Sequence, residues 1–169
     1  ETYRMNILMV HHRLPYPLRS GMDKVRFNLI RSLMTEHRVT LVAPITPRSS
    51  EDDIRSVKHI CSNLISVPLS EESIRLRATR RFAWHRWWRL IALRRPMHTI
   101  NEYFPEVDDA IQATLRRTKY DAIQLTSNIV SCYVEKLRGH RRLILGPMDD
   151  SIEAARTNGA VAKTWRERW

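Results

Sequence analysis

Glycine and cysteine are both scarce in this chain, and each scarcity removes a class of protein. Four glycines occur in 169 residues, and no Gly-Ser or proline-rich linker divides them, so one domain with one core is expected. The two cysteines, Cys61 and Cys132, have no CxxC or Cys/His neighbours. That argues against a disulfide scaffold and a zinc site, and implies two thiols in a reducing cytoplasm. No run of about 18 apolar residues occurs, so no spanning helix is expected. Glu1 to Asn6 lacks the basic and apolar segments of a signal peptide. No internal repeat is visible.

What the chain does have is a globular composition, 43% apolar, and a net charge of +11. The charge is unevenly placed. Between Ser73 and His98 lie eight arginines (Arg75, Arg77, Arg80, Arg81, Arg86, Arg89, Arg94 and Arg95) and no acid. A local basic stripe points to an anionic partner: lipid headgroups, nucleic acid or a phosphorylated substrate.

Apolar runs at Asn6–His11, Arg38–Ala43, Leu64–Leu69, Tyr120–Leu125 and Arg142–Gly146 read as buried strands. Pro15 and Pro17 make the segment after the first strand a loop, and Pro44 is expected to end the second. Pro68 argues for a strand end or a sheet edge. Ser20-Gly-Met-Asp23 resembles a capping box, with Ser20 as cap and Asp23 reaching back. A helix to Glu36 should follow, with Val25, Leu29, Ile30 and Leu33 as its apolar face. Further helices are expected over Glu51–Ile60, Glu72–Leu93, Phe104–Arg117, Val130–Leu137 and from Ile152 onward. Alternating strands and helices give a parallel α/β sheet flanked by helices. Ligands in such folds bind beyond the carboxyl ends of the strands.

From Met5 to Ala43 the sequence resembles the opening of a bacterial family-4-type GT-B glycosyltransferase. The motifs are Asn6-Ile-Leu-Met-Val10, Arg13-Leu-Pro-Tyr-Pro17, Ser20-Gly21, Asn28-Leu-Ile-Arg-Ser-Leu33 and His37-Arg-Val-Thr-Leu41. Arg95-Pro96, Tyr120–Leu125 and Leu143–Asp149 fit the exopolysaccharide and cell-envelope subgroup. The resemblance covers about half the chain. It implies a Rossmann-like N-terminal, acceptor-side domain, with a C-terminal donor-binding domain not contained in these residues. The chain is therefore expected to be truncated and inactive alone. The substrate would be a nucleotide-sugar, with no cofactor and no metal, and transfer would retain configuration.

The resemblance carries a donor-diphosphate contact onto Ser20, Gly21 and Met22, at a helix N-terminus where free amide groups favour anions. Met22 stands where the family has a second glycine. The competing role is plain helix capping. His12 and Arg13 are candidates for the acceptor side, the histidine as a contact or proton relay and the arginine as a phosphate clamp. Adjacent residues in an extended segment point opposite ways, so His11 and His12 are poorly placed to share a metal. Thr126 and Ser127 follow the fourth strand where relatives carry a histidine. They are candidates for hydrogen bonds to an acceptor, against a role in a turn and helix cap. Asp149 and Asp150 read as a cap before Ile152.

Arg80, Arg81, Trp84, Arg86, Trp87, Trp88 and Arg89 form a basic aromatic stretch. Trp84 and Trp88 share a helical face and Trp87 lies near them. Indole and guanidinium together suit an anionic membrane surface. The alternative is a surface helix whose rings pack inward. No nucleic-acid-binding motif accompanies the charge, so no nucleic acid is expected. The sequence thus points to sugar transfer onto a lipid-linked or growing glycan acceptor, on the inner face of the plasma membrane. A non-enzymatic basic module that binds polyanions is the alternative.

Overall fold

The computed structural model describes residues 4–47, 49–80, 103–140 and 142–146. Its sheet has five strands: β1 (Asn6–Val10), β2 (Arg38–Ile45), β3 (Asn63–Pro68), β4 (Ala122–Leu125) and β5 (Leu143–Leu145). All pairings are parallel, in the order β3-β2-β1-β4-β5. The helices are α1 (Gly21–Glu36), α2 (Glu51–Lys58), α3 (Glu71–Arg80), α4 (Pro105–Arg117), a 3-10 helix (Asn128–Tyr133) and α5 (Val134–Leu137). This is the expected α/β, Rossmann-like arrangement, with β1 at the centre.

Both faces of the sheet are buried, which is why its strands read as continuous apolar runs rather than alternating ones. Side chains still alternate between faces along each strand. Ile7, Met9, Val39, Leu41 and Ala43 pack with Ile30 of α1 and Val57 of α2. Leu8, Val10, Val42, Ile123 and Leu125 pack with Val107 and Ile111 of α4 and with Val130 and Tyr133. Cys61 is buried in the first cluster, where burial pushes its thiol up to about 11, an inert position.

The capping box at α1 forms in full. Ser20 Oγ accepts from the Asp23 amide at 3.1 Å, and Asp23 Oδ2 accepts from the Ser20 amide at 3.1 Å. Ser50 and Asp53 repeat it at α2, which the sequence reading did not single out. Proline at the first position of α4 costs nothing, because that amide would have no partner in the helix.

Three sequence expectations need correction. Val25 is 50% exposed, and the inward face of α1 is Asp23, Arg26 and Ile30. Pro44 does not end β2, which runs on to Ile45. Val42 turns its carbonyl to the His11 amide, and Pro44 has the same parity, so its missing donor faces the space past the end of β1. The helix expected over Val130–Leu137 is instead a 3-10 helix from Asn128 followed by one short α turn. Ser131 Oγ bonds back to the Asn128 carbonyl at 2.6 Å, which favours the tighter winding. Pro68, by contrast, closes the edge strand β3, as its position suggested.

The starts of α3 and α4 are tied together. Ser70 and Ser73 both donate their hydroxyls to Glu106 Oε1. Nearby, the buried Asp108 carboxylate receives the Tyr103 hydroxyl at 2.6 Å and the Lys136 ammonium, joining α4 to α5. Burial first, and then the hydrogen bond to Asp108, raise the Tyr103 pKa.

Candidate functional site

The strand order reverses at β1: β2 continues on one side and β4 on the other. In open parallel sheets the crevice beyond the carboxyl ends at such a switch point is where ligands bind. The residues that leave β1, His11 to Arg13, enter this place, and alternation splits them between two environments.

On the α1 side the environment is charged. The Arg13 guanidinium reaches Asp23 through one nitrogen, at 2.8 Å to Oδ1 and 3.1 Å to Oδ2. Arg26 stands 3.9 Å from the same carboxylate, with its side chain 5% exposed. Ser20 Oγ donates to Asp23 Oδ2 at 2.8 Å. Burial opposes ionisation of Asp23, but the bonds from Ser20 and Arg13 and the Arg13 charge outweigh it and hold its pKa below the usual range. His11 is buried beside this cluster, and neither ring nitrogen has a hydrogen-bond partner among the described residues. Burial, then the Arg26 and His12 charges, lower its pKa to about 3, against a smaller opposing effect of Asp23. His11 is therefore a neutral imidazole at physiological pH.

Gly21 is the first residue of α1, exposed, and an added Cβ would meet nothing within 4 Å. Its φ is not positive. The fold thus places no demand for glycine here, and a need for close backbone approach would have to come from a ligand. Met22 beside it is half-buried.

On the α4 side the environment is apolar. His11, His12, Pro44, Phe104, Val107, Val130 and Tyr133 line a crevice of about 210 Å³, its open mouth included. The Tyr133 hydroxyl is already engaged, accepting from the Phe104 amide at 3.1 Å. Ser127 is buried, and its Oγ lies 3.4 Å from His12 Nδ1. Thr126 is fully buried, and its Oγ1 donates to the Val10 carbonyl at 3.0 Å. It stitches the end of β4 to the end of β1.

The structure therefore brings Arg13 to Ser20 through Asp23, and His12 to Ser127 across 115 positions of sequence. Sequence reasoning missed Arg26. Its signal was the i, i+3, i+7 run Asp23, Arg26, Ile30, which marks one helical face whatever its polarity. Arg80 closes α3. Arg81, Trp84, Arg86, Trp87, Trp88, Arg89, Asp149 and Asp150 lie outside the described residues. Among the described residues no group of three metal-ligating side chains occurs, and no helix is long and apolar enough to cross a membrane.

Comparison with known proteins finds no matching family model, no matching curated protein and no matching solved structure. What the structure establishes is the class: a parallel α/β, Rossmann-like sheet flanked by helices, with its strand order reversing at β1.

Proposed function

We propose that this chain is the acceptor-side part of a glycosyltransferase that moves a sugar from a nucleotide donor to a lipid-linked or growing glycan acceptor. One observation carries the reading. Arg13, Arg26 and the amino end of α1 gather around a single carboxylate at the carboxyl end of β1, where a diphosphate would meet cations and helix amides together. Ser20, Gly21 and Met22 would supply the amide groups. The opposite face would receive the acceptor, and most of the donor would be held by a second domain. The motifs from Asn6 to Leu41 support the same assignment.

Titration of the 169-residue chain with UDP, GDP and inorganic pyrophosphate tests this. The expected result is weak binding, about millimolar or roughly −4 kcal/mol, with amide shifts at Ser20, Gly21 and Met22. Micromolar binding of a nucleotide-sugar, or sugar transfer by this chain alone, would overturn the division of labour. Absence of shifts at those three residues would overturn the diphosphate contact.

The stretch of eight arginines without an acid supports a second attribute, attachment to an anionic membrane face. The chain should co-sediment with anionic vesicles and much less with neutral ones, and salt should weaken the binding. Equal binding to both vesicle types would remove this attribute.

A further inference from the structure

We propose that Arg13 is an exchangeable cation, which a phosphate-bearing ligand draws away from Asp23 while Asp23 stays with Ser20 and Arg26. The proposal rests on the diphosphate contact proposed above and adds how that contact is held in check.

Burial divides the cluster into a fixed part and a movable one. The side chains of Asp23 and Arg26 are 3% and 5% exposed, whereas that of Arg13 is 53% exposed. Asp23 keeps most of its partners without Arg13. Its Oδ2 accepts from the Ser20 amide at 3.1 Å and from Ser20 Oγ at 2.8 Å, and Arg26 lies 3.9 Å from Oδ1. The departure of Arg13 therefore leaves no bare buried carboxylate, which is what makes most buried pairs costly to break. An ion pair with one partner in water contributes little, because solvent screens it and a long side chain loses freedom to make it.

The contact also uses Arg13 incompletely. One nitrogen, Nη2, serves both carboxylate oxygens, and Nε and Nη1 make no hydrogen bond among the described residues. A phosphate group can take two guanidinium nitrogens in parallel and carries more charge than a carboxylate. The backbone around Arg13 is anchored, because Leu14 is buried in the core and the Tyr16 ring lies 6.0 Å from that of Phe27. The exchange is thus a rotation of one side chain. A free monocarboxylate gains nothing over Asp23, which is the same group already tethered in place. The pair therefore excludes carboxylates and yields to phosphate.

The test is NMR on the 169-residue chain, following the Arg13 Nε–Hε resonance and the Asp23 carboxyl carbon during titration with pyrophosphate or acetate at constant ionic strength. Pyrophosphate should move both in a saturable way with one midpoint, and leave the Leu14 methyls in place. Acetate at the same concentration should move neither. Asp23→Asn should tighten pyrophosphate binding several-fold, because the competing charge is gone. In an Arg13→Gln background the same substitution should change the affinity far less. Equal tightening in both backgrounds would show plain repulsion by Asp23 and overturn the exchange. So would acetate acting as strongly as pyrophosphate. If Asp23→Asn fails to fold, the Arg13 and Asp23 resonances of the unsubstituted chain decide alone. Pyrophosphate shifts at the Ser20, Gly21 and Met22 amides with Arg13 and Asp23 unmoved would overturn the exchange and leave the diphosphate contact standing. Movement of Arg13 and Asp23 without those amide shifts would keep the exchange and remove the diphosphate contact.

Discussion

The two sides of the β1 terminus differ in what they bury. Toward α1 the chain buries an arginine, an aspartate and a histidine together. Toward α4 it presents Val107, Val130 and the ring of Tyr133, with one serine–histidine approach. His11 and His12 both line the crevice on the α4 side, yet only His11 also lies against the charged cluster, where Arg26 and Asp23 act on it. The lesson is geometric. A strand's alternation lets one loop serve two chemistries within a few ångströms, without either polar set having to enter the other's surroundings.

The difference can be broken most severely at Asp23. Asp23→Ala removes the capping box and leaves Arg26 buried beside no carboxylate of this cluster. Losing one partner of a buried ion pair costs about 3–5 kcal/mol. Urea denaturation should show a loss of that size. A loss below about 1 kcal/mol would mean that Arg26 does not depend on this carboxylate.

His11 sharpens the comparison through pH. Its folded pKa, about 3, lies below the unfolded value of 6.5, so the unfolded chain takes up a proton first as pH falls. Stability should therefore decline from pH 6.5 downward, by about 1.4 kcal/mol per unit, until the folded value is reached. Between pH 6.5 and 5 the expected loss is about 2 kcal/mol by the same slope. Asp23 adds to the decline only lower, because its pKa is also depressed but from the carboxylate range: its contribution is present above the unfolded value and disappears as pH falls through the folded one. In a His11→Phe variant the slope between pH 6.5 and 5 should flatten. An unchanged slope would show that another group carries the acid sensitivity.

The smallest effect is expected at Gly21. Since an added Cβ meets nothing, Gly21→Ala should change stability by less than about 1 kcal/mol, in the stabilising direction. Gly21→Val should likewise leave the fold intact while weakening pyrophosphate shifts at Ser20 and Met22. Unaltered pyrophosphate binding in both variants would reduce this position to helix capping.

The fold was legible in the sequence because both faces of the sheet are covered. Full burial makes Ile7–Val10 and Leu41–Ala43 uniformly apolar, and turn and cap residues separate these runs. Two of the three misreadings share one cause, which is that each depended on a partner outside its own element. Val25 looked like core because apolar residues at helical spacing usually are, but α1 spends its inward face on Asp23 and Arg26. Pro44 looked like a terminator because its missing donor matters only where a neighbouring strand is present, and β1 has already ended. Of the site, the Ser20–Asp23 box was readable because it is local. The approach of Ser127 to His12 was not, because it depends on β4 lying beside β1. Thr126 was likewise a candidate for ligand contact, and only the position of the Val10 carbonyl shows where its hydroxyl goes.

The tie between the starts of α3 and α4 has a consequence for how this protein can change. Ser70 and Ser73 meet Glu106, across 36 and 33 positions of sequence. One carboxylate serves two hydroxyls, so a change at Glu106 undoes both bonds at once, whereas a change at either serine leaves the other in place. The seam between the two helices is therefore tolerant at its serines and intolerant at its glutamate.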